Sequence, residues 1–147
     1  MKKILTLSVV LLMVAGVVKA AEPETKMEKS FRELFPNAQH VKWHQDGKGF
    51  LVSFSQSGMQ VKIQYDNKGN FMQSLRYYSA KDLPTSILLS VKNKYPGKDI
   101  FGVTEQATAN DLTYHIVLLD GESPVNIAAF SDGSVKEEQV SGETDEN

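Results

Sequence analysis

The chain has 147 residues, with 16 Lys and Arg against 18 Asp and Glu, and contains no cysteine. This length is typical of one domain, and the absence of cysteine excludes disulfides, a thiol nucleophile and a thiol-linked lipid anchor. The slight negative charge leaves no basic stripe of the kind that binds nucleic acid, so we expect no nucleic-acid partner.

Residues 1–20 have the composition of a cleavable export signal. Lys2 and Lys3 precede an apolar run over residues 4–18, and the expected cleavage site follows Ala20. The run is about fifteen residues long, shorter than the ~20 that a membrane-spanning helix needs, so we expect cleavage and no stable membrane anchor afterwards. The mature chain would keep 13 Lys and Arg against 18 Asp and Glu, a formal charge of −5.

After this segment, the first predicted helix is followed by four predicted strands. Met27, Phe31 and Phe35 recur every fourth residue, which predicts a helix that ends at Pro36. The apolar period then changes from four to two, which is typical of half-buried antiparallel strands. The predicted strands cover residues 41–44, 50–55, 59–65 and 71–78.

The same order occurs a second time. Leu83, Ile87, Val91 and Tyr95 predict a helix that ends at Pro96, with Asp82 as its capping carboxylate. Alternating patterns and Asp-Gly turns predict four further strands. These strands cover residues 100–107, 113–119, 124–130 and 135–140.

The two sets repeat one another at nearly fixed spacing. Val41 returns as Phe101, 60 positions later, and Val61 returns as Val125, 64 positions later. Such spacing indicates two copies of one supersecondary unit, neither of which buries its apolar face alone.

The repeat predicts an α+β fold, a tandem repeat of two helix–four-strand units. Two helix–four-strand units, residues 21–80 and 81–140, would form one domain, with a continuous antiparallel sheet and both helices on one face. The polar, acidic residues 141–147 are expected to form a disordered tail.

Four short motifs occur in a characteristic order: Phe35-Pro36-Asn37, Tyr65-Asp66, Asp82-Leu83-Pro84 and Tyr95-Pro96-Gly97. Together they resemble the PepSY-like family of small exported proteins, which are often described as β-lactamase-inhibitor-like. The resemblance implies a tandem helix-plus-sheet fold with an open sheet face, a location in the Gram-negative envelope, and protein binding or inhibition. It supplies no catalytic residue, and the chain lacks the cysteines that staple the true β-lactamase inhibitor.

Catalytic and metal sites are not indicated by the remaining residues. His40 and His44 lie on a predicted strand, where four residues span ~13 Å, too far for two ligands of one ion. His115 alternates with apolar neighbours and is expected at the surface. No serine lies in a Gly-x-Ser-x-Gly elbow. We therefore expect no enzyme activity, metal or cofactor.

The predicted function is non-covalent binding through the polar face of the sheet, to another envelope protein or an extracytoplasmic peptide. Side chains of this face combine hydrogen bonding with aromatic anchors, as interfaces require. The candidate binding residues are Lys62, Gln64, Arg76, Tyr78 and His115. A periplasmic carrier of a small ligand, which would need an apolar cavity, is the alternative. A hydrolase with a site assembled from distant residues is a further alternative.

Overall fold

The structure is a computed structural model that describes residues 25–138. The predicted export signal, the predicted acidic tail and the last residues of the eighth predicted strand lie outside the described residues.

Each of the two helices is followed by four strands. The first set is α1 (Lys26–Leu34), β1 (Gln39–Asp46), β2 (Gly49–Gln56), β3 (Met59–Asp66) and β4 (Phe71–Tyr78). The second set, which follows a short 3-10 turn, is α2 (Thr85–Lys94), β5 (Asp99–Thr108), β6 (Leu112–Asp120), β7 (Ser123–Phe130) and β8 (Val135–Glu137).

All eight strands form one sheet in chain order, and every neighbouring pair is antiparallel. The eight-stranded sheet with two helices confirms the predicted fold class at this level. We call the side that carries Val52, Val61 and Ile116 the helix face, because the buried residues of both helices pack there. The opposite side, which carries Lys62 and His115, is the open face.

Helix α1 begins at a capping box that the sequence reading missed. The Thr25 hydroxyl accepts from the backbone N–H of Glu28 at 3.2 Å, and the Glu28 carboxylate accepts from the backbone N–H of Thr25 at 2.8 Å. These reciprocal bonds satisfy two of the free donors at a helix N-terminus. The helix ends at Leu34, and Phe35 is its C-cap, just before Pro36, where the sequence predicted the helix to stop.

The start of α2 differs from the prediction. Asp82 is the last residue of the 3-10 turn, and Pro84 occupies the N-cap position without any side-chain hydrogen bond. The aspartate is therefore not the cap of this helix. Leu83, between them, is buried in the core and anchors the helix entry instead.

The core consists of two clusters on the helix face. In the first, the ring of Phe31 from α1 lies 5.0 Å from the ring of Phe54, in an edge-to-face arrangement. The second cluster packs Ile87 and Val91 of α2 against strands β5 to β8, where Leu118 is fully buried. Each helix thus covers its own group of strands.

Two apolar positions of the sequence repeat, Val41 and Phe101, do not lie in the core. Val41 is 40% exposed and Phe101 is 73% exposed. Both lie where the strand register shifts, between Gln39 and Lys42 and between Ile100 and Gly102. A bulge of this kind interrupts the alternation of side chains, so the period of two no longer predicts which face a residue occupies.

Candidate functional site

A row of hydrogen-bonded polar side chains crosses the open face. The Gln73 amide donates to Gln64 Oε1 at 3.0 Å, and the Gln106 amide donates to Gln73 Oε1 at 2.6 Å. His115 Nε2 lies 3.0 Å from Gln106 Oε1, and His115 Nδ1 lies 3.0 Å from the Glu138 carboxylate. The row therefore links strands β3, β4, β5 and β6 to the residue after β8.

The strand register explains how these side chains meet. Gln64 pairs directly with Gln73, while Gln106 lies diagonally between Gln73 and His115. Side chains at direct and diagonal positions of neighbouring strands are within reach of one another. Beyond His115 the next strand presents Ala128, whose small side chain lets Glu138 reach across β7.

Both ring nitrogens of His115 lie within hydrogen-bonding distance of side-chain oxygen atoms, one of Glu138 and one of Gln106. The side chains of His115 and Glu138 are each about one-third exposed, at 35% and 36%. This end of the row therefore remains accessible to a binding partner.

Aromatic side chains lie beside the polar row. The ammonium of Lys62 lies 5.5 Å from the centre of the Tyr77 ring, within the range of a cation–π contact. A shallow cavity of about 300 Å³ has Tyr77, Phe101 and His115 among its lining residues. The open face thus combines hydrogen-bonding groups with the half-buried ring of Tyr77 and the exposed ring of Phe101.

Three of the five candidate binding residues, Lys62, Gln64 and His115, lie on the open face as predicted. Sequence reasoning missed Gln73 and Gln106. The alternation of side chains along β4 and β5 puts both residues on the open face. The prediction had assigned the opposite set of alternating β4 residues to that face.

Arg76 and Tyr78 were wrongly placed with the other three. The register pairs Arg76 with Val61 and Tyr78 with Val103, and both partners belong to the buried helix face. Both faces of β4 carry polar and apolar side chains, so its sequence pattern does not distinguish the two faces. The pairing of Arg76 with the buried Val61 identifies the helix face.

On the helix face, these two residues share one carboxylate. Arg76 Nη1 donates to Glu105 Oε1 at 3.0 Å, and the Tyr78 hydroxyl donates to Glu105 Oε2 at 2.6 Å. The Glu105 side chain is 12% exposed, against 43% for Arg76. Burial, followed by the hydrogen bond and the negative charge of Glu105, raises the pKa of Tyr78 well above its usual range.

This raised pKa predicts a loss of stability in alkali. Above the ordinary tyrosine pKa near 10, the unfolded chain releases the Tyr78 proton while the folded chain keeps it, so the free energy of unfolding falls as pH rises. We expect Tyr78→Phe to lose less stability than the wild type between about pH 9 and pH 11. Urea titrations at several pH values measure this, and parallel pH profiles for the two proteins would contradict it.

Within residues 25–138, no group of three or more His, Asp and Glu side chains is placed to hold a metal ion. His40 and His44 are exposed, and His40 Nδ1 lies 3.0 Å from the Ser55 hydroxyl. Asp66 and Asp132 accept backbone N–H bonds inside their turns. This is the ordinary use of aspartate in a turn.

None of the helices in residues 25–138 is both long and apolar enough to cross a lipid bilayer.

Comparison with known proteins identifies the fold. No protein-family model matches the sequence, and no curated protein matches it significantly. Among solved structures, a BLIP-like protein from Bacteroides fragilis aligns with a TM-score of 0.67 at 19% identity, over 88% of this chain and 94% of its own.

Two further structures align similarly. A DUF2874 family protein from Bacteroides ovatus has a TM-score of 0.62 at 15% identity, over 80% of this chain and 89% of its own. A candidate periplasmic protein from Bacteroides eggerthii has the same TM-score at 12% identity, over 76% of this chain and 85% of its own. At these identities the likeness establishes a shared fold, so this chain has the fold of the BLIP-like and DUF2874 proteins.

Proposed function

We propose that this chain is an exported, non-enzymatic binding module whose open face binds another envelope protein or an extracytoplasmic peptide. The observation that carries the proposal is the hydrogen-bonded row from Gln64 to Glu138, flanked by the half-buried ring of Tyr77 and the exposed ring of Phe101. Polar groups beside aromatic anchors are the composition of a protein interface.

The side chains of the row are held in place by their neighbours, which favours recognition of a binding partner. Each of Gln73, Gln106 and His115 is held by at least two neighbouring side chains. Side chains ordered before binding lose less conformational entropy when a partner arrives. A partner that presents its own donors and acceptors would meet a rigid, already aligned surface.

Cellular location and ancestry are part of the same proposal. The basic and apolar N-terminal segment and the fold shared with a candidate periplasmic protein support a periplasmic or secreted location. The apolar residues that recur 60 to 64 positions apart in the sequence support the duplication of one PepSY-like helix–four-strand unit. We propose no nucleic-acid partner, no cofactor and no membrane anchor after cleavage.

Photo-crosslinking tests the proposed face directly. With p-benzoylphenylalanine in place of Lys62, on the open face, we expect a discrete crosslinked partner in living cells of the source bacterium. The same residue in place of Leu89, which is exposed on α2, is the matched control and should give none. The double variant Tyr77→Ala and Phe101→Ala should abolish the Lys62-position crosslink, because interface anchors typically contribute about 2 kcal/mol or more.

Three outcomes would contradict the proposal. Equal crosslinking from positions 62 and 89 would mean that the open face is not the site. Retention of the partner by the double variant would mean that the aromatic residues are not anchors. Turnover of a substrate by the purified protein would replace the binding module with an enzyme.

A further inference from the structure

A second surface of the molecule, on the helix face, is an apolar groove between α1 and strands β3 and β4. Its volume is about 540 Å³, within the range of small-molecule sites. Leu34 and Phe35 line it from the helix side, and Met59, Val61 and Ile63 line it from β3. The groove is on the opposite side of the sheet from the proposed open-face site.

The mouth of the groove exposes large apolar side chains to water. Leu34 is 71% exposed and Phe71 is 43% exposed. A neighbouring cavity of about 550 Å³ shares Leu34 and Tyr65 with the groove, and Met27 and Phe50 are among its lining residues. An extended apolar chain lying there would remove this surface from water.

One end of the groove carries a guanidinium with free hydrogen-bonding capacity. Arg76 uses Nη1 for Glu105, whereas the contact of Nη2 is the thioether of Met59 at 3.5 Å. Sulfur of this kind is a weak acceptor. A carboxylate would be a much stronger partner for that edge of the guanidinium.

From this geometry we propose that the groove binds a long-chain carboxylate, with the apolar chain along Leu34 and Phe71 and the carboxylate on Arg76. The thioether of Met59 and the Leu34 side chain are flexible enough to adapt to a chain of variable shape. The site is separate from the open face, so either proposal can fail without the other.

The test uses the purified full chain and a fluorescent probe, 11-(dansylamino)undecanoic acid, below its micellar concentration. Competition compares dodecanoate with dodecanol, which has the same chain but no charge. We expect the probe to bind and dodecanoate to displace it about tenfold more effectively than dodecanol, as a charge-assisted hydrogen bond would provide.

Four variants locate the ligand, each checked for folding by thermal melting. Leu34→Glu should weaken probe binding by about tenfold or more, because it places a carboxylate at the apolar mouth. Leu89→Glu, on the exposed side of α2, is its matched control and should bind like the wild type. Arg76→Gln should remove the preference for the acid, whereas Lys68→Gln, in the neighbouring cavity, should keep it.

Specific results would overturn the proposal. Equal displacement of the probe by the acid and the alcohol in the wild type would show that Arg76 does not bind the carboxylate. If only Lys68→Gln loses the preference for the acid, the carboxylate lies on Lys68 and the ligand has the opposite orientation. If no probe binds and Leu34→Glu instead abolishes a concentration-dependent dimer in sedimentation, the occupant is a second copy of the chain. Unchanged probe binding in folded Leu34→Glu would place the probe elsewhere.

Discussion

Replacing Phe54 by alanine is expected to lower the free energy of unfolding by about 3–5 kcal/mol. The Phe54 side chain is 2% exposed, and its ring lies 5.0 Å from the ring of Phe31 and 5.1 Å from that of Phe35. Truncation would remove both ring contacts and leave a cavity between α1 and the sheet. Urea denaturation followed by circular dichroism measures the change.

The matched control is Leu34→Ala, which removes an apolar side chain from the same region of the molecule. Leu34 is 71% exposed, so we expect its replacement to change stability by less than about 0.5 kcal/mol. A Phe54→Ala variant as stable as the Leu34→Ala variant would show that the first cluster is not the packed core of this half.

The second large effect is expected from Gly49→Ala, at the start of β2. A Cβ atom at this position would lie 2.1 Å from the backbone carbonyl oxygen of Tyr65, and the φ angle of +149° is one that side-chain-bearing residues rarely adopt. The obstacle is main chain of the paired strand β3, so it cannot rotate away. We expect a loss of at least about 2 kcal/mol in the free energy of unfolding.

Gly47, in the same turn, provides the comparison. A Cβ added there meets nothing within 4 Å, and its φ angle is not in the left-handed region. Gly47→Ala should therefore leave the urea midpoint nearly unchanged, while Gly49→Ala lowers it. Similar midpoints for the two variants would mean that β2 and β3 are not in the close pairing described.

The strands that sequence reasoning located best are those with one buried face. In β2 and β6, buried residues such as Val52 and Ile116 alternate with more exposed ones, so the period of two identifies both the strand and its orientation. The helix stripes of Phe31 and Ile87 were equally clear. These features are local, and a local pattern is sufficient to predict them.

The errors arose where the outcome depends on distant partners. Arg76 is polar but lies on the helix face, where Glu105, 29 residues later, accepts a hydrogen bond from its Nη1. The contact between His115 and Glu138 depends on Ala128 in an intervening strand. A sequence pattern contains neither the pairing register nor these long-range contacts, so it placed three of the five candidate residues on the correct face and misplaced the other two.

The groove was beyond prediction for a related reason. Its lining residues are ordinary apolar residues of α1, β3 and β4, and they would have formed closed core if the helix lay over the centre of the sheet. The aromatic rings of α1 contact Phe54 on β2 and Trp43 on β1, and the groove lies between the helix and strands β3 and β4. Helix placement on a sheet is a property of packing and not of periodicity.

The strand order has a consequence for the rate of folding. Since each strand pairs with the strand before and after it in the sequence, the sheet contains no crossover connection. Closing a short loop costs little entropy, and proteins whose contacts are close in sequence fold faster than β proteins with long-range pairing. Within each set of four strands the chain can therefore add hairpins one at a time, whereas the pairing of β4 with β5 must bring together strands separated by α2.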